Sequence, residues 1–142
     1  MADVGKTYAS WVRDYETTDL NSLADGSNVL GAEIDNSAND YPYIKVSVTI
    51  NDLDLSAQTN PGVYIWIVET DDVGYEEADA STDPARGPDI ILPAVVQDST
   101  AILIGYGYVP ETFKIMIGNR CGAAFEASGN TLDYQLFTQA IA

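Results

Sequence analysis

The sequence has no histidine, one cysteine, and only six lysines and arginines among its 142 residues. Each shortage excludes something. Without histidine there is no Ser-His-Asp or Cys-His arrangement, and the commonest general base and metal ligand are both gone. A zinc site would need clusters of Cys or His that do not occur. The lone Cys121 has no partner for an intramolecular disulfide, so the fold does not depend on an oxidising compartment. Its setting, Asn119-Arg120-Cys121-Gly122, offers no base to lower its pKa, and it reads as an ordinary small residue in a turn. No phosphate-binding Gly-x-x-x-x-Gly-Lys-Ser/Thr loop and no dinucleotide fingerprint is present. No apolar run approaches the roughly 18 residues of a membrane helix. The opening residues Met1 to Lys6 lack a basic start and an apolar stretch, so no signal peptide is expected.

What is there is acid. Twenty-two Asp and Glu against six Lys and Arg give a formal net charge of −16 and a sequence pI near 4.1. Such a surface repels phosphate backbones and anionic lipid heads, which excludes direct nucleic-acid and membrane binding as expected functions. Lys6, Arg13, Lys45, Arg86, Lys114 and Arg120 are spread along the chain without forming a run. High net charge also keeps free copies soluble and apart.

Period-2 patterning dominates the chain. Ile44, Val46, Val48 and Ile50 alternate with Lys45, Ser47, Thr49 and Asn51, as in a strand with one buried face. Val63 to Val68 is a continuous β-branched and aromatic run, introduced by the turn signal Pro61-Gly62. Further strands are predicted at Ile90 to Leu92, Thr100 to Val109, Thr112 to Gly118, Ala123 to Ala127 and Thr131 to Phe137, with two more at Thr7 to Tyr15 and Asn28 to Ile34. Within them Ile102, Ile104, Tyr106 and Tyr108 share one face. So do Phe113, Ile115 and Ile117, and so do Leu132, Tyr134 and Leu136. Ser128-Gly129-Asn130 reads as a hairpin turn. Asp19 is the expected cap of a single helical turn through Leu23. These strands predict one all-β domain over residues 1–142: an antiparallel β-sandwich, jelly-roll-like, with residues 1–15 as a candidate N-terminal arm.

Chemistry finds no foothold in these residues. With so many carboxylates, close pairs arise by chance, so a glycosidase pair has no specific support. The sequence predicts no enzyme, no catalytic residues and no cofactor. The acidic segment between Glu69 and Asp89 holds Asp71, Asp72, Glu76, Glu77, Asp79, Asp83 and Asp89, all hard oxygen ligands, but not in the order of an EF-hand. It reads as a solvated loop without a resident metal. Tyr64, Trp66, Tyr106, Tyr108 and Tyr134 lie in strand patterns and are expected in the core. The stretch from Thr7 to Tyr15 has two readings, a first core strand or an arm anchored on a partner by Trp11. Tyr8, Trp11, Arg13 and Tyr15 are therefore the candidate partner-binding residues.

Two segments carry a resemblance. The first runs from Asp19-Leu20-Asn21-Ser22-Leu23-Ala24-Asp25-Gly26 to Ile34-Asp35-Asn36. The second includes Asn119-Arg120-Cys121-Gly122-Ala123-Ala124 and Ala127-Ser128-Gly129-Asn130-Thr131-Leu132. They resemble small β-sandwich virion proteins of tailed bacteriophages, which read "LNSLANG", an "AIDN"-like stretch and "NRTGVA…ASGNTL". Val63 to Val68 and the loop after it fit the family's middle loosely. The loop after Glu69 is more acidic than the family's, and Phe137 to Ala142 replaces a basic tail. The resemblance implies a head decoration (cement) protein on the outer capsid surface, bound to the major capsid protein and made in the host cytoplasm. It also implies a homo-oligomer, a trimer by analogy with proteins seated at local three-folds. A tail- or fibre-associated virion component and a carbohydrate-binding module are the alternatives.

Overall fold

A computed structural model describes residues 4–70, 81–94 and 98–141. Ten strands are found there and no α-helix: β1 (Val4–Tyr8), β2 (Val12–Glu16), β3 (Asn28–Leu30), β4 (Ile34–Asp35), β5 (Tyr43–Asp54), β6 (Gly62–Glu69), β7 (Ile90–Pro93), β8 (Asp98–Tyr108), β9 (Thr112–Arg120) and β10 (Thr131–Ile141). They form two antiparallel five-stranded sheets. The first runs β1-β10-β5-β8, with β2 also on β10; the second runs β3-β9-β6-β7, with β4 also on β9.

β1 and β2 lie end to end along one edge of β10, from Val4 opposite Ile141 to Glu16 opposite Leu132. β3 and β4 share β9 in the same way. Counting each of these pairs as one strand leaves eight. The pairing is then nested: first with eighth, second with seventh, third with sixth, fourth with fifth. This is the order of a jelly roll, two Greek keys wrapped into a double sheet.

The core follows the alternation. Ile44, Val46, Val48 and Ile50 are buried, as are Phe113, Ile115 and Ile117 from the facing sheet and Leu132, Tyr134 and Leu136 beside them. A bulge after Ile50, with Asp52 at φ 40°, resets the period so that Leu53 and Leu55 also point inward. β6 is buried on both faces, which is why it reads as an unbroken apolar run. Val63, Ile65 and Ile67 enter the main core. Trp66 and Val68 form a second cluster with Met116 on the outer face of the second sheet. The segment 81–89 returns to that side: Trp66 Nε1 donates to the Arg86 carbonyl at 3.4 Å. Beyond the β7 pairing, Ile67 finds side-chain partners. Its N–H donates to the Asp89 carboxylate at 2.6 Å, and Arg86 donates to its carbonyl at 2.6 Å.

Three local expectations are corrected. Ala123 to Ala127 is not a strand, and Ser128 to Asn130 therefore closes no hairpin; the chain from Cys121 to Asn130 is a loop. It is latched by buried asparagines instead of ladder bonds. Asn119 Nδ2 donates to the carbonyls of Leu23 and Ala123, and Asn130 Nδ2 to Asn21 Oδ1 and the Glu126 carbonyl. The predicted helical turn is a 3₁₀ turn over Thr18–Leu20, with Thr17 in the cap position and no side-chain cap bond, so Asp19 lies inside it. The faces of β8 are exchanged. Ile102, Ile104, Tyr106 and Tyr108 are 65%, 51%, 60% and 78% exposed, while Ala101 and Leu103 are buried. The reason lies in Gly105 and Gly107, which share the inward face. A Cβ on Gly105 would come 2.6 Å from Leu92 and 2.7 Å from Ile90, so the second sheet presses where β8 has no side chain to offer.

Candidate functional site

The exchange of faces on β8 builds a surface. On the outer side of the first sheet, Tyr8, Phe137, Tyr43 and Tyr108 stand opposite one another across β1, β10, β5 and β8. Strands lie about 4.8 Å apart, close to the spacing at which rings in register touch. The ring centroids are 5.4 Å apart for Tyr8–Phe137, 5.3 Å for Phe137–Tyr43 and 5.3 Å for Tyr43–Tyr108. Tyr106 meets Phe137 edge-on at 6.3 Å. Each pair adds roughly 0.5–1.5 kcal/mol beyond burial. Phe137 is thereby buried on the outside of the sheet, beneath its neighbours.

Cations border this row. Lys6 Nζ lies 6.0 Å from the Phe137 ring; Lys45 Nζ lies 5.8 Å from Tyr106 and 5.5 Å from Trp11; the Arg13 guanidinium lies 4.6 Å from Trp11. Half of the chain's six cations, dispersed in sequence, therefore converge on one face of a molecule with net charge −16. A shallow groove of about 340 Å³ runs among Lys6, Tyr43, Tyr106, Tyr108, Phe137 and Gln139.

The sequence candidates divide between the two sides of the N-terminal edge. Tyr8 and Arg13 are exposed and Trp11 half-buried on the outer side, with Arg13 ion-paired to Asp133 at 3.0 Å. Tyr15 turns inward. Its ring meets Tyr134 edge-on at 5.4 Å, its hydroxyl donates to the Ala32 carbonyl, and the Ile115 N–H donates to it at 3.4 Å. Burial raises its pKa far above the ordinary phenol value, so it acts as a neutral latch between the sheets. Residues 4–16 are paired with β10 as an edge strand. Lys6, Tyr43, Lys45, Tyr106, Tyr108 and Phe137 escaped sequence reasoning. The signal that could have found them is Gly-Tyr-Gly-Tyr over 105–108, small and large residues alternating in a strand.

Elsewhere the polar groups are committed to structure. Arg120 is bonded to Asp83 at 2.8 Å and lies 5.7 Å from the Tyr64 and Trp66 rings. The Asn28 amide and then Arg120 hold the Asp83 carboxyl below its ordinary range. The other acidic-loop ligands from Asp71 to Asp79 lie outside the described residues, and among the described residues no group of three or more His, Cys, Asp or Glu could hold a metal. Cys121 is buried, with its thiol donating to the Gly62 carbonyl at 3.2 Å; burial pushes its pKa up to about 11, which keeps it a thiol.

The segments that carry the phage resemblance meet in one seam. Gly26 N donates to the Asn119 carbonyl at 2.8 Å, Ser22 N to that of Glu126 at 2.9 Å, and Phe125 N to that of Leu23 at 3.0 Å. Gly122 N donates to Asp25 Oδ1 at 2.8 Å. That likeness bears on how loops are latched and says nothing of the aromatic face. No protein-family model and no curated protein matches the chain.

Proposed function

We propose that this protein is a structural component of a tailed-phage virion, a head decoration protein that docks on the major capsid protein and reinforces the shell. The observation that carries this reading is the aromatic and cationic face of the first sheet. Trp, Tyr and Arg dominate binding energy at protein interfaces. Here the tyrosines and Arg13 stand on paired strands, with Trp11 in the short connection between β1 and β2, so little conformational freedom is lost when a partner covers them. The acidity of the chain as a whole suits an outward position and keeps free copies apart before assembly. The phage setting rests on the sequence resemblance. Packaged DNA presses a shell outward, and a protein bridging neighbouring subunits resists that pressure by binding alone, with no catalysis or cofactor. Three copies around a local three-fold would satisfy the expected trimer.

Co-sedimentation with undecorated heads tests the proposal. The wild type binds saturably, and a Tyr106→Ser/Tyr108→Ser variant, altered only at exposed positions, binds at least tenfold more weakly, the equivalent of about 1.4 kcal/mol. Attachment to tails in electron micrographs would move the reading to a tail- or fibre-associated component.

One observation favours a second reading, a carbohydrate-binding module. The groove combines aromatic platforms, suited to the apolar face of a sugar ring, with Lys6 and Gln139 as polar partners. A glycan array in which the same tyrosine variant loses the signal would support it over capsid docking.

A further inference from the structure

Carboxylates are scarce on the one face where cations gather. On β5, β8 and β10, the positions in register with Tyr43, Lys45, Ser47 and Thr49 hold a single acid, Asp133, and Arg13 is ion-paired to it at 3.0 Å. Lys6 and Lys45 form no ion pair among the described residues, in a chain with 22 Asp and Glu. Their ammonium groups stand beside rings instead, Lys6 by Phe137 and Lys45 by Tyr106 and Trp11. Lys6 and Gln139 are opposed across β1 and β10, and both line the groove of about 340 Å³ whose other walls are Tyr43, Tyr106, Tyr108 and Phe137. That volume lies within the range of small-ligand sites.

We propose that this groove binds a sugar carrying a single carboxylate, a uronic or sialic acid unit of a glycan. The inference rests on the carbohydrate reading of the groove and narrows it from saccharides in general to acidic ones. Backbone, side chains and charge each select this occupant. β5 and β10 have a strand on both sides, so their main-chain groups are spent in the ladder and the outer face cannot take up a peptide as a further strand. Recognition there falls to side chains. The rings suit the apolar face of a pyranose, and Gln139 and the tyrosine hydroxyls suit its hydroxyl groups. Lys6 Nζ, a charged donor at the wall of the groove, suits a carboxylate. Charge then limits the number of carboxylates. The Debye length is about 8 Å at 0.15 M ionic strength, so a single anion in the groove meets Lys6 directly and is screened from acids farther off. A polyanion would extend over a molecule of net charge −16 and be repelled.

Calorimetric titration of the full chain tests it, with oligosaccharides ending in glucuronic, galacturonic or N-acetylneuraminic acid, each beside its methyl ester. The ester keeps the shape of the sugar and removes its charge. At least one acid should bind about tenfold or more tightly than its ester. Lys6→Gln should bring that acid to the affinity of the ester and leave the ester's own affinity unchanged, a pattern that a general distortion of the groove would not give. Equal binding of acids and esters would overturn the inference and leave the groove a site for neutral sugars. An acid preference that survives Lys6→Gln would overturn it as well. No binding of any sugar would remove the carbohydrate reading together with the inference. A glutamate-rich peptide that binds more tightly than every sugar, and is lost in Lys6→Gln, would assign these cations to an acidic protein partner instead.

Discussion

Gly31 sits where a methyl group has no room. A Cβ there would overlap the Tyr15 ring, which is fixed by the Ala32 carbonyl at its hydroxyl and by Tyr134 at its edge. Gly31→Ala is therefore expected to displace Tyr15 and cost about 1–3 kcal/mol, seen as a lower urea midpoint; Tyr15→Phe, which loses only the hydroxyl bonds, costs less. Glu16, one residue on, is strained in another sense. Burial, and then the charge of Asp19, raise its pKa, so its ionised form is less favourable folded than unfolded. The destabilisation is full above the raised pKa and absent below the ordinary value of 4.5. Glu16→Gln should raise the urea midpoint at pH 7, with the gain fading as the pH falls through the raised pKa. A gain that persists at low pH would assign the effect to something other than ionisation. At this scale the sequence was legible wherever one face was apolar, as in Ile44 to Ile50. It misled on which side of β8 faces inward, where neither face carries a charge from Ser99 to Tyr108. On β8 the glycines, not the tyrosines, mark the inward side, because the pressure that empties that side comes from Ile90 and Leu92 of another sheet.

Among the elements, the N-terminal edge is where the two readings of Thr7 to Tyr15 predict different outcomes. A free arm could be removed without harm to the fold. Residues 4–16 instead pair with most of β10, and the Ala9 N–H donates to the Leu136 carbonyl at 2.9 Å within that stretch. Deleting residues 1–16 exposes the edge of β10 and removes Tyr15 from beside Tyr134. The expected outcome is a large loss of stability by thermal melting, which makes the deletion a poor probe of binding. Docking is better probed by Trp11→Ala and Lys45→Glu. Both alter the outer face and leave the backbone ladder in place, so binding to heads should fall while the melting temperature holds. The strands themselves were readable because alternation is local. Their sheet partners were not, since nesting first with last depends on contacts as distant as Val4 with Ile141. The convergence of Lys6, Arg13 and Lys45 was hidden for the same reason.

At the scale of the whole molecule, charge is the term that composition fixes and folding cannot remove. A chain of net charge −16 compresses its carboxylates on folding, so self-repulsion opposes the compact state. Screening relieves it: the Debye length falls from about 30 Å at 0.01 M salt to about 3 Å at 1 M. The melting temperature should therefore rise with ionic strength. A general field and a specific calcium site at the acidic residues from Asp71 to Asp83 make different predictions. Screening responds to ionic strength, so NaCl and KCl act alike and the rise is gradual. A built site responds to calcium itself, saturates as the site fills, and stabilises by an amount set by the ratio of free ion to its dissociation constant. Thermal melts with NaCl, KCl, MgCl2 and CaCl2 matched in ionic strength separate the two. The expected outcome is one gradual curve for the sodium and potassium salts, with calcium and magnesium equal to each other. A saturable rise with calcium alone, abolished by chelator and by Asp71→Asn/Asp72→Asn, would instead place a metal in that loop and give its carboxylates a role beyond repulsion.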